Sequence, residues 1–195
     1  MVFTVYAGSN GSGKSTLYDT GVDAGEDTRI NWDEIALASG EESHAGFNLQ
    51  SGKKTIRMIR NCLSKRLPFN LEVTLSTTHI FKTINMAKEL GYRIVLHYVF
   101  LESADLAVSR VANRVAKGGH SVPEKYIRRR YFVSLENLHH ALQLCDEAFI
   151  YDNSEYHEND DTGFCLAAYF QRGKLLYSDE NMPTALAAAL KITNK

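Results

Sequence analysis

The chain has 195 residues, 44% of them hydrophobic, and a formal net charge of -1. That is enough apolar material for a core, and the near-neutral charge predicts neither disorder nor a nucleic-acid partner. Three widely spaced cysteines, Cys62, Cys145 and Cys165, form no CxxC pair and support neither a disulfide framework nor a zinc site; they read as buried reduced thiols. No apolar run approaches the roughly 20 residues of a membrane span, and the N-terminal apolar run is too short for a signal peptide. The expectation is one soluble, cytoplasmic domain over residues 1–195, with no membrane partner.

Val2 to Tyr6 is a short apolar run that reads as a buried strand. It feeds Gly8-Ser9-Asn10-Gly11-Ser12-Gly13-Lys14-Ser15, which fits G-x-x-x-x-G-K-[ST] without a gap. Glycines let successive backbone N–H groups turn inward as an anion nest, and the following helix, from Gly13 to about Asp19, aims its positive end at the phosphates. Lys14 is expected to reach the β- and γ-phosphates, and the Ser15 hydroxyl to ligate Mg²⁺. The nucleotide-binding set is Gly8 through Thr16, and the cofactors implied are ATP and Mg²⁺.

Arg29-Ile30-Asn31 reads as a weak second strand, followed by Asn31-Trp32-Asp33-Glu34. Loops at the carboxyl ends of strands form the ligand crevice of an open α/β sheet. Asp33 there suits a base for an acceptor hydroxyl, and equally a helix cap. A helix from Ser51 to about Lys65 carries Ile56, Ile59 and Leu63 on one predicted face. The next strand runs from Phe69 to Leu75 and holds Glu72. A carboxylate among apolar neighbours is costly unless it sits at the strand's mouth, facing the nucleotide metal or the substrate.

Ile80 to Leu90 is a helix stopped by Gly91, and Arg93 to Leu101 is the strongest strand in the chain. Helices follow over Ala104 to Ala116 and Pro123 to about Leu144, joined through Gly118-Gly119-His120. Ser121-Val122-Pro123-Glu124 has the form of a capping box. Arg110 and Arg114 share a helix face, and Arg128, Arg129 and Arg130 fan around the next helix, so not all three can meet one ligand. Residues 105–131 thus read as an arginine-bearing lid, or else as a solvated basic face. Glu147 to Tyr151 is the next strand; Asn153 behind it is either an adenine contact or an ordinary turn residue. Leu166 to Phe170 and Lys174 to Tyr177 predict a small C-terminal β-hairpin, and a last helix runs from Pro183 to about Leu190. Strands alternating with helices predict an α/β three-layer sandwich with a mostly parallel central sheet.

AGSNGSGKST, NWDEIA, SGKKTIRMIR leading to LEVTLS, and the block from Arg110 through RVAKGGHSVPEKYIRRRYFVSLENL together resemble the zeta toxin family of P-loop kinases, from residue 3 to about Ser154. The resemblance implies a fold like small nucleotide kinases and phosphorylation of UDP-N-acetylglucosamine, with an antitoxin protein as partner. It matches Lys14 to the Walker lysine, Asp33 to the catalytic base, and Glu72 with Thr74 to the acceptor-site strand. Arg110 or Arg114, and one of Arg128 to Arg130, match the phosphate-clamping arginines. The catalytic set expected is Lys14, Asp33, Arg114 and Arg128, with Arg110 and Asn153 at the nucleotide and Asp33, Glu72 and Thr74 at the acceptor. The chain departs from the family at Trp32, where proline is usual, and at Val73, where threonine is common. A kinase for another small hydroxyl substrate, or an ATP-dependent switch, fits the same loop.

Overall fold

A computed structural model describes residues 1–21, 28–32, 34–35, 49–155 and 164–192. Seven strands form one sheet in the order β2-β3-β1-β4-β5-β6-β7. They are β1 Val2–Ala7, β2 Thr28–Asn31, β3 Phe69–Val73, β4 Arg93–Phe100, β5 Glu147–Asp152, β6 Cys165–Gln171 and β7 Lys174–Ser178. The first five pair in parallel, and β6 and β7 add an antiparallel hairpin at one edge. The helices are α1 Lys14–Asp19, α2 Leu49–Lys65, α3 His79–Glu89, α4 Ala104–Ala116, α5 Glu124–Leu144 and α6 Thr184–Leu190. The architecture is the expected P-loop kinase-like α/β sandwich.

Burial explains the strand sequences. β1 and β4 lie at the centre, covered on both faces, so they read as continuous apolar runs rather than alternating ones. Phe3, Val5, Ala7, Ile94, Leu96, Tyr98 and Phe100 belong to the main core cluster. The other face carries an aromatic ladder: Tyr6 stacks on His97 at 5.2 Å, His97 on Phe149 at 5.1 Å, and Phe149 on Tyr169 at 4.8 Å. β7, at the hairpin edge, is exposed along its whole length. On α2, Ile59 and Leu63 are buried, while Ile56 is 37% exposed and lies off that face.

Two further local readings differ from expectation. The third strand ends at Val73, because Leu75 takes a left-handed backbone with φ 55° and leaves the ladder. No capping box forms before α5: Pro123 is the capping residue and no side chain caps the helix. The side-chain cap lies instead on α4, where Ser103 Oγ accepts from the Leu106 N–H at 3.1 Å. None of the three cysteines forms a disulfide; Cys62 and Cys145 are buried as expected, Cys165 is only half-buried, and burial pushes the Cys145 thiol up to about 12. No helix among the described residues is long and apolar enough to cross a membrane.

Candidate nucleotide site

The phosphate loop leaves β1 at the carboxyl edge of the sheet, between β3 and β4. Gly8, Gly11 and Gly13 all have positive φ. Gly13 has φ 101°, and a Cβ there would meet the Asn153 amide nitrogen at 2.6 Å, so only glycine fits. That nitrogen donates to the Ser12 carbonyl at 2.8 Å, holding the loop from behind. Asn153 thereby braces the loop, a contact that neither of its two sequence readings, adenine contact or ordinary turn residue, named. Lys14 is buried, and its ammonium donates to the Ser9 carbonyl at 2.9 Å, inside the loop. Ser12 Oγ is buried without a hydrogen-bond partner among the described residues, a further donor within the same loop. Ser15 and Thr16 are exposed on α1.

Glu72 is where the loop meets the neighbouring strands. Tyr6 and Glu72 are register partners, as are Asn31 and Glu72, which brings this carboxylate to the mouth of the crevice. Ser15 Oγ donates to it at 2.9 Å and Asn31 Nδ2 at 2.8 Å. The Lys14 ammonium lies 3.9 Å away and the Arg29 guanidinium 3.5 Å. Arg29 also pairs with Glu34 at 2.7 Å and lies 3.7 Å over the Tyr18 ring. Arg29 and Asn31 were read only as strand residues in the sequence. Their role depends on a pairing between β2 and β3 that no local pattern encodes.

The Ser15 hydroxyl and the Glu72 carboxylate suit Mg²⁺. Both are hard oxygen donors, and Mg²⁺ carried on nucleotide phosphates takes only one or two protein ligands. Glu72 faces Ser15 and Lys14 of the phosphate loop, while Thr74 turns to Ser76, with their hydroxyls 2.7 Å apart. Asp33 lies outside the described residues.

The arginines separate by helix geometry. Arg130 Nη1 donates to Asn10 Oδ1 of the loop at 3.2 Å. Arg128, expected in the catalytic set, lies away from the loop: it pairs with Asp105 at 2.7 Å and Glu124 at 2.8 Å on the surface, and both ion pairs hold its pKa above the ordinary value. At about 100° per residue, Arg128 and Arg130 point some 200° apart, so only one can meet the loop. Arg110 packs beside Gly11 and donates to the Ser154 carbonyl at 3.4 Å. Burial lowers its pKa, and the Asp152 charge works against that shift. Arg114 donates to the His120 carbonyl at 2.8 Å, tying α4 to the glycine turn, and its Nε is buried without a partner among the described residues. α4 and α5 share a small core of Leu101, Ala104, Ala107, Val111, Val122, Ile127 and Tyr131.

A family model described as an AAA domain matches residues 3–131. The chain belongs to the AAA domain family. The match covers the phosphate loop, Glu72 and the arginine-bearing helices up to Tyr131. An uncharacterized protein of Haemophilus influenzae is 32% identical over 126 residues, 65% of this chain and 89% of that protein. Among solved structures, the AAA domain is similar to AvrRxo1-ORF1:-ORF2 with ATP, at 16% identity over 92% of this chain and with a TM-score of 0.67. The chain spans 60% of that structure's length. It is similar to the PezAT chromosomal toxin-antitoxin system of Streptococcus pneumoniae at 16% identity, over 97% of this chain and 76% of that one, with a TM-score of 0.54. A candidate kinase from Chloroflexus aurantiacus matches at 17% identity over 67% of this chain and 79% of that one, with a TM-score of 0.51. At these identities the structural likeness establishes the fold.

Proposed function

We propose that this AAA domain is an ATP-dependent kinase of the zeta toxin type, which transfers the γ-phosphate to a hydroxyl of a UDP-activated sugar such as UDP-N-acetylglucosamine. The observation that carries the reading is the convergence on Glu72. Ser15 and Lys14 of the phosphate loop and Asn31 and Arg29 of β2 meet one carboxylate, so the phosphate loop and the end of β2 face one crevice. A kinase needs an acceptor base and a lid that a pure nucleotide switch does not, and Asp33 follows β2 by two residues in the chain while Arg130 reaches the loop from α5. In the transfer, the bond from the γ-phosphorus to the ADP oxygen breaks as a bond to the acceptor oxygen forms. The acceptor proton passes to the Asp33 carboxylate. Lys14 and Arg130 balance charge on the transferring group; Ser15 and Glu72 would hold a Mg²⁺ ion, which would supply neutralising charge to the phosphates. AvrRxo1-ORF1 was solved with ORF2, and PezAT is a toxin-antitoxin system; both support a small protein partner that silences this chain.

Incubation with ATP and a panel of UDP-sugars, followed by mass spectrometry, tests the reading. One added phosphate on a UDP-sugar is expected. ATP hydrolysis with every sugar unmodified would favour the switch instead.

Two substitutions probe the chemistry by steady-state kinetics. Asp33→Asn removes the base but keeps the shape, and transfer should fall about a hundredfold while ATP affinity and melting temperature stay near normal. Retained transfer with lowered melting would make Asp33 a cap. Arg130→Ala should lower kcat by about a hundredfold, whereas Arg128→Ala should stay within about threefold, because Arg128 is bound in exposed ion pairs. The reverse order would return the clamp to Arg128.

A further inference from the structure

Helix α5 touches both halves of the crevice along one polar edge. Arg130, Ser134 and Asn137 are spaced by four and three residues and therefore share a flank of the helix. That flank borders the buried stripe of Ile127, Tyr131, Leu138 and Ala141. Each of the three residues meets a different strand or the loop behind it. Arg130 donates to Asn10 beyond β1 at 3.2 Å. Ser134 and the Tyr98 hydroxyl of β4 lie 3.0 Å apart, both buried. Asn137 Nδ2 donates to the Leu75 carbonyl beyond β3 at 2.9 Å. Ser134 is buried and Arg130 and Asn137 are half-buried; polar groups removed from water are tolerated when partnered, and each of these has its partner.

Leu75 is the unusual member. Its φ of 55° is a backbone state that a branched L-residue adopts only under constraint. Two anchors supply that constraint. The side chain is sunk in the main core at 1% exposure, and the carbonyl is held by Asn137. The turn at Leu75 sets the directions of Thr74 and Ser76, whose hydroxyls are paired just beyond Glu72.

We infer that Asn137 is a positioning residue, which holds the strained Leu75 turn and so fixes the Thr74 and Ser76 hydroxyls on the acceptor side of the crevice. With Arg130 seven residues away on the same flank, α5 becomes a bar of about 10 Å between its two contacts, setting the acceptor side at a constant distance from the phosphate loop. The inference rests on the reading that the acceptor binds beyond β3.

The test compares Asn137→Ala with Asn137→Asp. Both remove the donor, but only alanine removes the volume. Hydrogen exchange across residues 73–77 of the nucleotide-free chain should accelerate at least about tenfold in both variants, with exchange across residues 8–15 unchanged. Affinity for a fluorescent ATP analogue should stay within about twofold, while KM for UDP-N-acetylglucosamine rises about tenfold at a nearly constant kcat. Unchanged exchange at 73–77 in both variants would overturn the inference. So would an effect of alanine that aspartate does not share, which would mean packing volume, or a parallel loss of ATP affinity, which would mean a general defect. If the unsubstituted chain transfers nothing to UDP-N-acetylglucosamine, the acceptor reading fails by itself. The exchange and ATP measurements still decide the role of Asn137.

Discussion

Lys14→Ala is expected to lower phosphoryl transfer by about a thousandfold or more while leaving a folded, cooperatively melting chain. The lysine is buried, and its ammonium makes polar contacts at the crevice, among them the Ser9 carbonyl at 2.9 Å and the Glu72 carboxylate at 3.9 Å. Neither of these two partners belongs to the apolar core. Removing the ammonium leaves Glu72 with Ser15, Asn31 and Arg29, so the carboxylate is not stranded. What disappears is the positive charge that the γ-phosphate meets as it leaves ADP. The measurement is single-turnover transfer beside circular dichroism and thermal melting. Loss of cooperative melting would mean that the ammonium holds the loop together and that the kinetic loss is secondary.

Glu72→Gln is expected to cost nearly as much, on the order of a hundred- to a thousandfold in kcat, with a distinct signature in metal dependence. Glutamine keeps the size and an oxygen for the Asn31 amide but removes the negative charge. The Mg²⁺ concentration for half-maximal rate should rise at least about tenfold, because a neutral amide oxygen is a poorer partner for a hard cation. Metal-free ATP should bind as tightly or more tightly, because a negative charge beside the phosphates is gone. Titration of rate against Mg²⁺, with ATP affinity measured in the presence of a chelator, reads both effects. An unchanged Mg²⁺ requirement with a raised acceptor KM would move Glu72 to the acceptor, the role that the family resemblance suggests.

The sequence alone determined what depends on neighbours in the chain. The run of glycines ending in Lys14-Ser15 specifies the phosphate loop because its function lies in local backbone geometry. The apolar runs at β1 and β4 specify central strands because burial on both faces leaves no polar positions. Glu72 was legible as a strand-end carboxylate because its apolar neighbours make a buried charge costly. Asp33 was legible only as a candidate, and the described residues leave it there.

The tertiary structure decided what depends on residues far apart in the chain. Asn153 meets the loop across 141 residues, Arg130 meets Asn10 across 120, Asn137 meets Leu75 across 62, and Ser15 meets Glu72 across 57. Helical spacing could say that Arg128 and Arg130 point apart, but not which of them faces the nucleotide. That was fixed by the packing of α5 against α4, where Asp105 and Glu124 pair with Arg128 and leave Arg130 to the loop. Local propensity cannot encode such choices, because each depends on which strand ends lie side by side, and that order is set by burying the sheet on both faces.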